Sequence, residues 1–519
     1  MLQSFSLDEA RWSLMLVLPV AAFCSLIAYL IGYAVYQLYL NPLRRFPGPK
    51  LWAISSIPYV REFIAGTCHL EILRLHQKYG HIVRVGPNHL SINHPDGMAE
   101  LRGHRKSYTG ENGKDPANAL PNRDNIIGSE RGDHSRFRRA LAHGFSAQSM
   151  LAQQPIIKGY VDTLFEKLRE EVSRDGDEEA VNVEKWFNFT TFDVIGDLAF
   201  GEPFGCLEDS TYHPWVDLIF KSIKNMAMLT SFRRLPWLKP LLMLTLPREL
   251  MGKYAQNREL SREKLRKRLE LGKSRPDFVD AMIRKSESAG QVLQAGLLTS
   301  KTQIMSFEEM TSNAMVLIIA GSETTATLLT AATYFLATNP HVLVKLNDEV
   351  RSAFTTEDEI DMLSVQSLPY LLAVLDESLR MFPPVPGPSP RTIGEGGDTI
   401  LGEFIPQDTV VDVWHWSVYH NPDHFALPEE FIPERFLGDP RFANDAKQAL
   451  QPFSIGPRNC IGKNLAYAEM RLILARLIWN FDIRPAAETA NWYAETKVYI
   501  LWEKGGLDVH LTPRVLKAE

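Results

Sequence analysis

Phe453-Ser454-Ile455-Gly456-Pro457-Arg458-Asn459-Cys460-Ile461-Gly462 is the stretch on which the reading of this chain turns. One cysteine stands in a glycine-punctuated loop. An arginine precedes it by two residues and a long apolar helical pattern follows it. The setting suits a thiolate ligand to haem iron, because a strongly donating sulfur favours O–O bond cleavage. The anion must be stabilised, and backbone N–H groups at the start of the following helix can do that. Gly456 and Gly462 let the backbone approach closely. Arg458 offers a fixed charge to a haem propionate. The alternative is a buried structural cysteine, a common fate of a free thiol.

Composition bounds the rest. The chain has 519 residues, 45% of them hydrophobic, and a formal net charge of −6. That hydrophobic share is ordinary for a globular protein and argues against disorder. The length would hold several average domains. No Ser/Gly linker, low-complexity tract or repeat divides it after the N-terminal stretch. The acidic balance and scattered basic residues do not suggest a nucleic-acid binder. The four cysteines are Cys24, Cys68, Cys206 and Cys460. No pair has CxxC spacing, which speaks against zinc and thioredoxin-like sites. Their scatter suits a reducing compartment.

Trp12 to Leu43 carries no charged residue. A bilayer takes about 20 apolar residues as a helix, so residues 1–43 are expected to be a membrane anchor. The run is too long for a secretory signal core. Tyr33, Tyr36 and Tyr39 look like an interfacial aromatic belt, and Arg44, Arg45 and Lys50 put the following side in the cytosol. Phe46-Pro47-Gly48-Pro49 breaks the helix and stiffens the exit, giving a hinge over residues 44–50. Residues 51–519 remain as the folded domain.

Within that domain, Ile82–Val85 and His89–Ile92 read as strands joined by a Gly86-Pro87-Asn88 turn. Most of the middle is helical in pattern, as in residues 159–173, 186–200 and 254–271. Asn188-Phe189-Thr190 matches a glycosylation acceptor, a weak signal that stays silent in a cytosolic domain. Ser306 and Glu309 have capping-box spacing and open a helix that Asn339-Pro340 stops. Its middle, Ala320-Gly321-Ser322-Glu323-Thr324-Thr325, is poor in helix formers. A Ser or Thr that bonds back to a carbonyl bends such a helix.

The cysteine pattern F-x-x-G-x-R-x-C-x-G resembles the signature of the cytochrome P-450 family of haem-thiolate monooxygenases. Other segments resemble family motifs in the same order: Ala320 to Thr325, Glu377-Ser378-Leu379-Arg380, and Pro433-Glu434-Arg435-Phe436. Ala320 to Pro340 and Asp133 to Phe145 look like fungal secondary-metabolism members, trichothecene hydroxylases among them. The resemblance implies a mainly helical triangular prism with minor sheets, plus one N-terminal transmembrane helix. It implies Cys460 as axial ligand and iron protoporphyrin IX as cofactor. Haem contacts are then expected from Phe453, Gly456, Arg458, Ile461, Gly462, Ala320, Arg138 and Arg391. His134 stands where the family often has Trp, four residues before Arg138, so both can face one way. Arg136 and Arg139 are expected to face solvent or a redox partner. Glu377, Arg380 and Arg435 are expected to form a structural network beneath the cysteine loop.

The resemblance also implies roles on the long helix. Glu323 would conduct protons and Thr324 would present a hydroxyl at the oxygen-binding face, since an acid beside a hydroxyl can relay protons from water. The implied reaction is hydroxylation or epoxidation of a small lipophilic natural product with O2 as co-substrate. Gly394-Glu395-Gly396-Gly397 reads as a loop, and no dinucleotide motif lies in a strand–helix context. About sixty residues follow Cys460, which leaves no room for a flavin domain. Electrons are thus expected from a separate NADPH-cytochrome P-450 reductase at the endoplasmic reticulum membrane. Two other functions share these motifs: an isomerase or dehydratase needing no external electrons, and a non-catalytic haem sensor or carrier. Residues 108–127, 205–250, 315–319, 385–389 and 492–500 are expected to line the substrate pocket, being mostly apolar.

Overall fold

The computed structural model describes residues 7–104, 111–119, 122–175, 179–238, 248–272, 275–287 and 305–515. Six helices carry the argument: α1 (Leu7–Val35), α2 (Arg131–Leu141), α3 (Val183–Phe200), α4 (Phe307–Thr338), α5 (Pro369–Met381) and α6 (Lys463–Asn480). The architecture is mainly helical with small sheets, as expected. The strand pattern also holds: β1 (Ile82–Gly86) and β2 (His89–Ile92) form an antiparallel pair. They join β3 (Gly113–Lys114), β4 (Arg391–Thr392) and β5 (Val410–Val413) in one sheet of order β1-β2-β5-β4-β3.

The long helix forms where its cap predicts. The Ser306 hydroxyl accepts from the Glu309 N–H at 3.2 Å, and the Glu309 carboxylate accepts from the Ser306 N–H at 2.8 Å. Two of the four orphan donors at the helix start are thereby satisfied. The helix is apolar and long enough to cross a membrane, yet 72% of its most apolar window is buried within the domain. It is a core helix. Its main neighbour is α3, which is buried along almost its whole length. The two helices meet closely at Gly321, where a Cβ would lie 2.8 Å from the Ile195 side chain. Gly321 is therefore there for helix–helix contact as well as for a softer helix.

Beneath the cysteine loop, the Glu377, Arg380 and Arg435 side chains are fully buried and paired as expected. Arg380 Nε donates to Glu377 at 2.8 Å and Arg435 Nε lies 3.2 Å from it. A second carboxylate, Asp445, also pairs with Arg435 and balances the charge. Buried ions survive only when paired and hydrogen-bonded. Arg380 meets that demand further by donating to the carbonyls of Tyr419, Pro428 and Glu430.

Two expectations need correction. Arg136 does not face solvent: its guanidinium forms a two-pronged contact with Glu309 at 2.6 and 2.9 Å and another with Asp133 at 2.8 Å. The capping carboxylate of α4 draws it in, and a bidentate arginine pair is the stronger arrangement. Trp492 and Tyr493 belong to an aromatic core with Tyr334, Phe335 and Phe382. Tyr334 is ten residues along α4 from Thr324, about 15 Å at 1.5 Å per residue. That part of 492–500 is packing, not pocket lining. Of the other expected lining, residues 108–110, 120–121 and 239–247 lie outside the described residues. Asn188 is fully buried and donates to Glu184, so it is out of reach of glycosylation.

The N-terminal apolar segment Val17–Leu40 is unburied and fits a membrane anchor. Its last turn, however, docks on the domain. Arg84 is 2% exposed. It donates to the Gln37 carbonyl at 2.8 Å and the Gln37 side chain at 2.6 Å. Asn41 also donates to that side chain at 2.8 Å. Removing residues 1–35 should thus leave a folded domain. Removing residues 1–41 should leave one arm of the buried guanidinium without its acceptor, the Pro87 carbonyl still serving the other, and lower stability by roughly 2 kcal/mol. Denaturant midpoints of the two truncations measure the difference.

Candidate active site

The cysteine loop ends at the start of α6 and is held in shape by its own backbone. Cys460 N–H donates to the Phe453 carbonyl at 2.8 Å. Gly456 has φ of 76°, and a Cβ there would lie 2.0 Å from the Arg102 carbonyl, so only glycine fits. Phe453 packs on Tyr467 at 5.3 Å between ring centroids, and Ile461 packs on the main core. Gly462 caps α6. No residue from Gln451 to Gly462 is buried, although the helix behind them is core.

The Cys460 thiol is accessible yet largely surrounded by protein, as on the wall of a recess. Burial pushes its pKa up, while the Gly462 N–H, Arg138 and Lys463 pull the other way. The first effect wins, so the protein alone does not make a thiolate here. A cationic metal would, because a coordinating thiol is deprotonated outright. Arg138 is fixed by donating to the Asn459 carbonyl at 2.7 Å and to the Asn459 side chain.

Beside the loop, cations converge. Lys114 and Arg391 are direct cross-strand partners on β3 and β4. Like charges directly opposite are destabilising. Arg458 adds a third charge, and the neighbouring His134 is 4% exposed. Burial first, then Arg458, lowers the His134 pKa to about 4, so its ring is neutral. Burial first, then Arg458, brings Lys114 down to about 8. Arg391 is lowered by the same two causes. The carboxylate set among them is Glu111, which accepts from Arg458 at 2.8 and 2.9 Å. Burial works against its charge, but Arg458 and Arg391 hold its pKa below the usual range. Crowded cations with so little counter-charge suit a dianion, such as the two propionates of haem. The residues present fit that group: a thiol, a cationic rim and apolar walls.

On α4, Val316, Ala320 and Thr324 follow at i, i+4 and i+8; Ala320 is exposed and the other two are half-buried on a helix that is otherwise mostly buried. They form an open stripe on a core helix. The hydroxyls of Ser322 and Thr324 bond back to the carbonyls of Ile318 and Ala320, each at 2.6 Å. Such back-bonding loosens and bends a helix. The structure does not bring Glu323 and Thr324 together as a hydrogen-bonded pair. Glu323 is buried on another side, with Lys504 Nζ 2.5 Å from one oxygen and the Thr327 hydroxyl 3.2 Å away. Lys504 and Asp445 have no reading from the sequence, and Glu111 and Lys114 fall within the expected pocket lining 108–127 with no charge role assigned; the only local signal of all four is charge.

The family model described as Cytochrome P450 matches residues 46–510. A trichothecene C-15 hydroxylase from Fusarium sporotrichioides is 53% identical over 489 residues, covering 94% of this chain and 96% of that protein. An averantin hydroxylase from Dothistroma septosporum is 41% identical, covering 96% and 92%. The cytochrome P450 monooxygenase astJ from Aspergillus oryzae is 42% identical, covering 95% and 96%.

A further acid sits behind the stripe. Glu469 on α6 is buried against Thr325, and burial raises its pKa to about 8. A carboxyl that binds its proton more tightly when folded stabilises the fold at low pH. That contribution is lost as pH rises from about 4.5 to about 8, because the unfolded chain releases the proton first. Glu469→Gln should therefore flatten the pH dependence of unfolding across this window and raise stability at its alkaline end. Urea midpoints across the window read it directly.

Proposed function

The chain belongs to the cytochrome P450 family and is a monooxygenase of the fungal secondary-metabolite type, and on that premise we propose how its residues divide the work. Residues 1–43 anchor it, 44–50 form the exit hinge, and 51–519 form the haem domain. It is a single-pass protein of the endoplasmic reticulum membrane with its catalytic domain in the cytosol. Its electrons come from NADPH through a separate reductase. Its substrate is a small lipophilic secondary metabolite. A trichothecene is the first candidate, because the 53%-identical relative is a trichothecene C-15 hydroxylase.

Bound haem supplies the hard chemistry, the reductive activation of O2 and insertion of one oxygen atom into substrate. The protein's part is ligation, orientation and protons. Cys460 would ligate the iron, with the Gly462 N–H and Arg138 steadying its charge. Arg458, Arg391, Arg138 and His134 would hold the propionates. Phe453, Ile461, Gly456 and Ala320 would flank the bound group. Thr324 presents its hydroxyl on the open stripe, and Glu323 supplies protons from the interior side. The observation that carries this reading is the juxtaposition of an accessible thiol with a rim of four cations, Arg138, Arg391, Arg458 and Lys114, beside which Glu111 is the paired carboxylate.

The ligand is tested by the reduced CO complex. The wild type should show the far-red-shifted Soret band of thiolate ligation, and Cys460→Ser should lose it; a variant that keeps the band rules Cys460 out. Binding of a trichothecene lacking the 15-hydroxyl should shift the ferric spectrum, and NADPH with reductase should add a hydroxyl to it. Product made without NADPH would instead point to rearrangement chemistry.

Proton delivery is tested by Thr324→Ala. Loss of a group that acts in the transition state lowers turnover more than binding. Product per NADPH should fall about a hundredfold, the low end of what general acid–base help contributes, while haem content and substrate shift persist. Unchanged coupling would leave Thr324 as a helix-bending residue only.

A further inference from the structure

Lys504 is built inward from the surface. Its neighbours Glu503, Gly505 and Gly506 include exposed residues, but its own side chain is 4% exposed. The ammonium lies between two carboxylates, 2.5 Å from Glu323 on α4 and 3.6 Å from Glu184 on α3. Asn188, one turn along α3, donates to the same Glu184 oxygen at 2.6 Å. Tyr212 adjoins both acids through its contact with Asn188. Thr327 donates to Glu323 from the α4 side. The second oxygen of Glu323 is buried with no hydrogen-bond partner among the described residues.

The charges do not balance. Among the described residues, two carboxylates share one ammonium in a low-dielectric interior, which leaves one net negative charge unpaired. Unpaired buried charge is costly, and the cheaper state takes up a proton. Glu184 is the acid placed to hold it. Burial pushes its pKa up, with Lys504 pulling it down and Glu323 adding to the rise. Lys504 stays charged: burial works against the ammonium, but Glu323 and Glu184 outweigh it and raise its pKa. Glu184 also reaches furthest toward water, its side chain being 16% exposed against 5% for Glu323.

We propose that Glu184 and Lys504 form the entry station of the proton path that ends at Glu323. Lys504 Nζ–H gives its proton to Glu323, and Nζ takes the proton held by Glu184. Glu184, now a carboxylate, is reprotonated from solvent. One proton enters for each one passed on and no electrons move. Lys504 and Glu184 act through Glu323, so they are positioning residues. The inference rests on Glu323 serving Thr324 as described above.

The test uses the full chain with haem and reductase and needs no substrate. NADPH consumed and hydrogen peroxide released are measured in H2O and in D2O, and reduced oxygen that is not peroxide is counted as water. Glu184→Gln and Lys504→Met should each lower water formation about tenfold relative to peroxide and enlarge the solvent isotope effect, with the CO band unchanged. Lys504→Arg, which keeps the charge, should restore most of the water yield. Glu323→Gln should uncouple on its own, and adding Lys504→Met to it should change nothing further, as residues in one chain are non-additive. Infrared spectra should show a buried protonated carboxyl that Glu184→Gln removes. Should Lys504→Met fail to fold, Glu184→Gln decides alone. Wild-type partition in Glu184→Gln or Lys504→Met, beside an uncoupled Glu323→Gln, overturns the station and leaves Glu323 its role. Wild-type partition in Glu323→Gln overturns both.

Discussion

The thiol side of the molecule hangs on two arginines that have no contact with water. Arg380 and Arg435 are fully buried on either side of Glu377. Neither can lose its partner, because an uncompensated buried charge costs several kcal/mol. Arg435 therefore fixes Asp445, and Asp445 in turn accepts from the Ala426 N–H. The neighbouring Ala446 N–H donates to the His424 carbonyl. A few residues on, Gln451 N–H is held by the Tyr419 hydroxyl at 2.9 Å. The long irregular segment before Cys460 has little regular structure of its own. Its path is dictated from below by charge, and the position of the sulfur follows from that path.

The other wall of the site is set by packing. α4 must cross the domain and touch α3 closely, so it carries Gly321 against Ile195. It must also present an open stripe, so it cannot be apolar all round. Hydroxyl side chains solve both demands. Thr330 and Thr333 are buried and satisfied by their own helix at 2.7 and 2.8 Å. Thr324 makes the same bond from an open position. One residue type thus serves as filler in the core and as a usable hydroxyl at the site, and only exposure separates the two.

What could be read in advance follows the range of each interaction. The capping box at Ser306 and Glu309 spans four residues and is plain in the sequence. The Glu377–Arg380 pair is local as well, and Arg435 is reached through a motif. The failures are long-range. Arg136 looked like a surface charge because its partner Glu309 is 173 positions away. Lys504 had no reading at all, with Glu323 181 positions off. The cross-strand pair of Lys114 and Arg391 is equally silent, since β3 is two residues long and carries no strand pattern. Trp492 misled for the opposite reason: apolar residues suit a pocket and a core alike, and only the fold showed Tyr334 beside them.

The acids flanking the threonine pair show why burial alone does not define a function. Glu323 and Glu469 are equally buried, at 4%. Glu323 meets an ammonium and a hydroxyl and sits in a charged cluster. Glu469 meets Thr325 and, among the described residues, no cation, and desolvation keeps it protonated up to about pH 8. One neighbour of the Thr324–Thr325 step is thus a salt-bridged carboxylate linked toward the surface through Glu184. The other is a neutral acid able to donate a hydrogen bond but without a charged group to draw on. A path that must deliver protons repeatedly needs a route by which they are replaced. The Glu323 side has the charged groups for one, and the Glu469 side is built to hold a single proton in place.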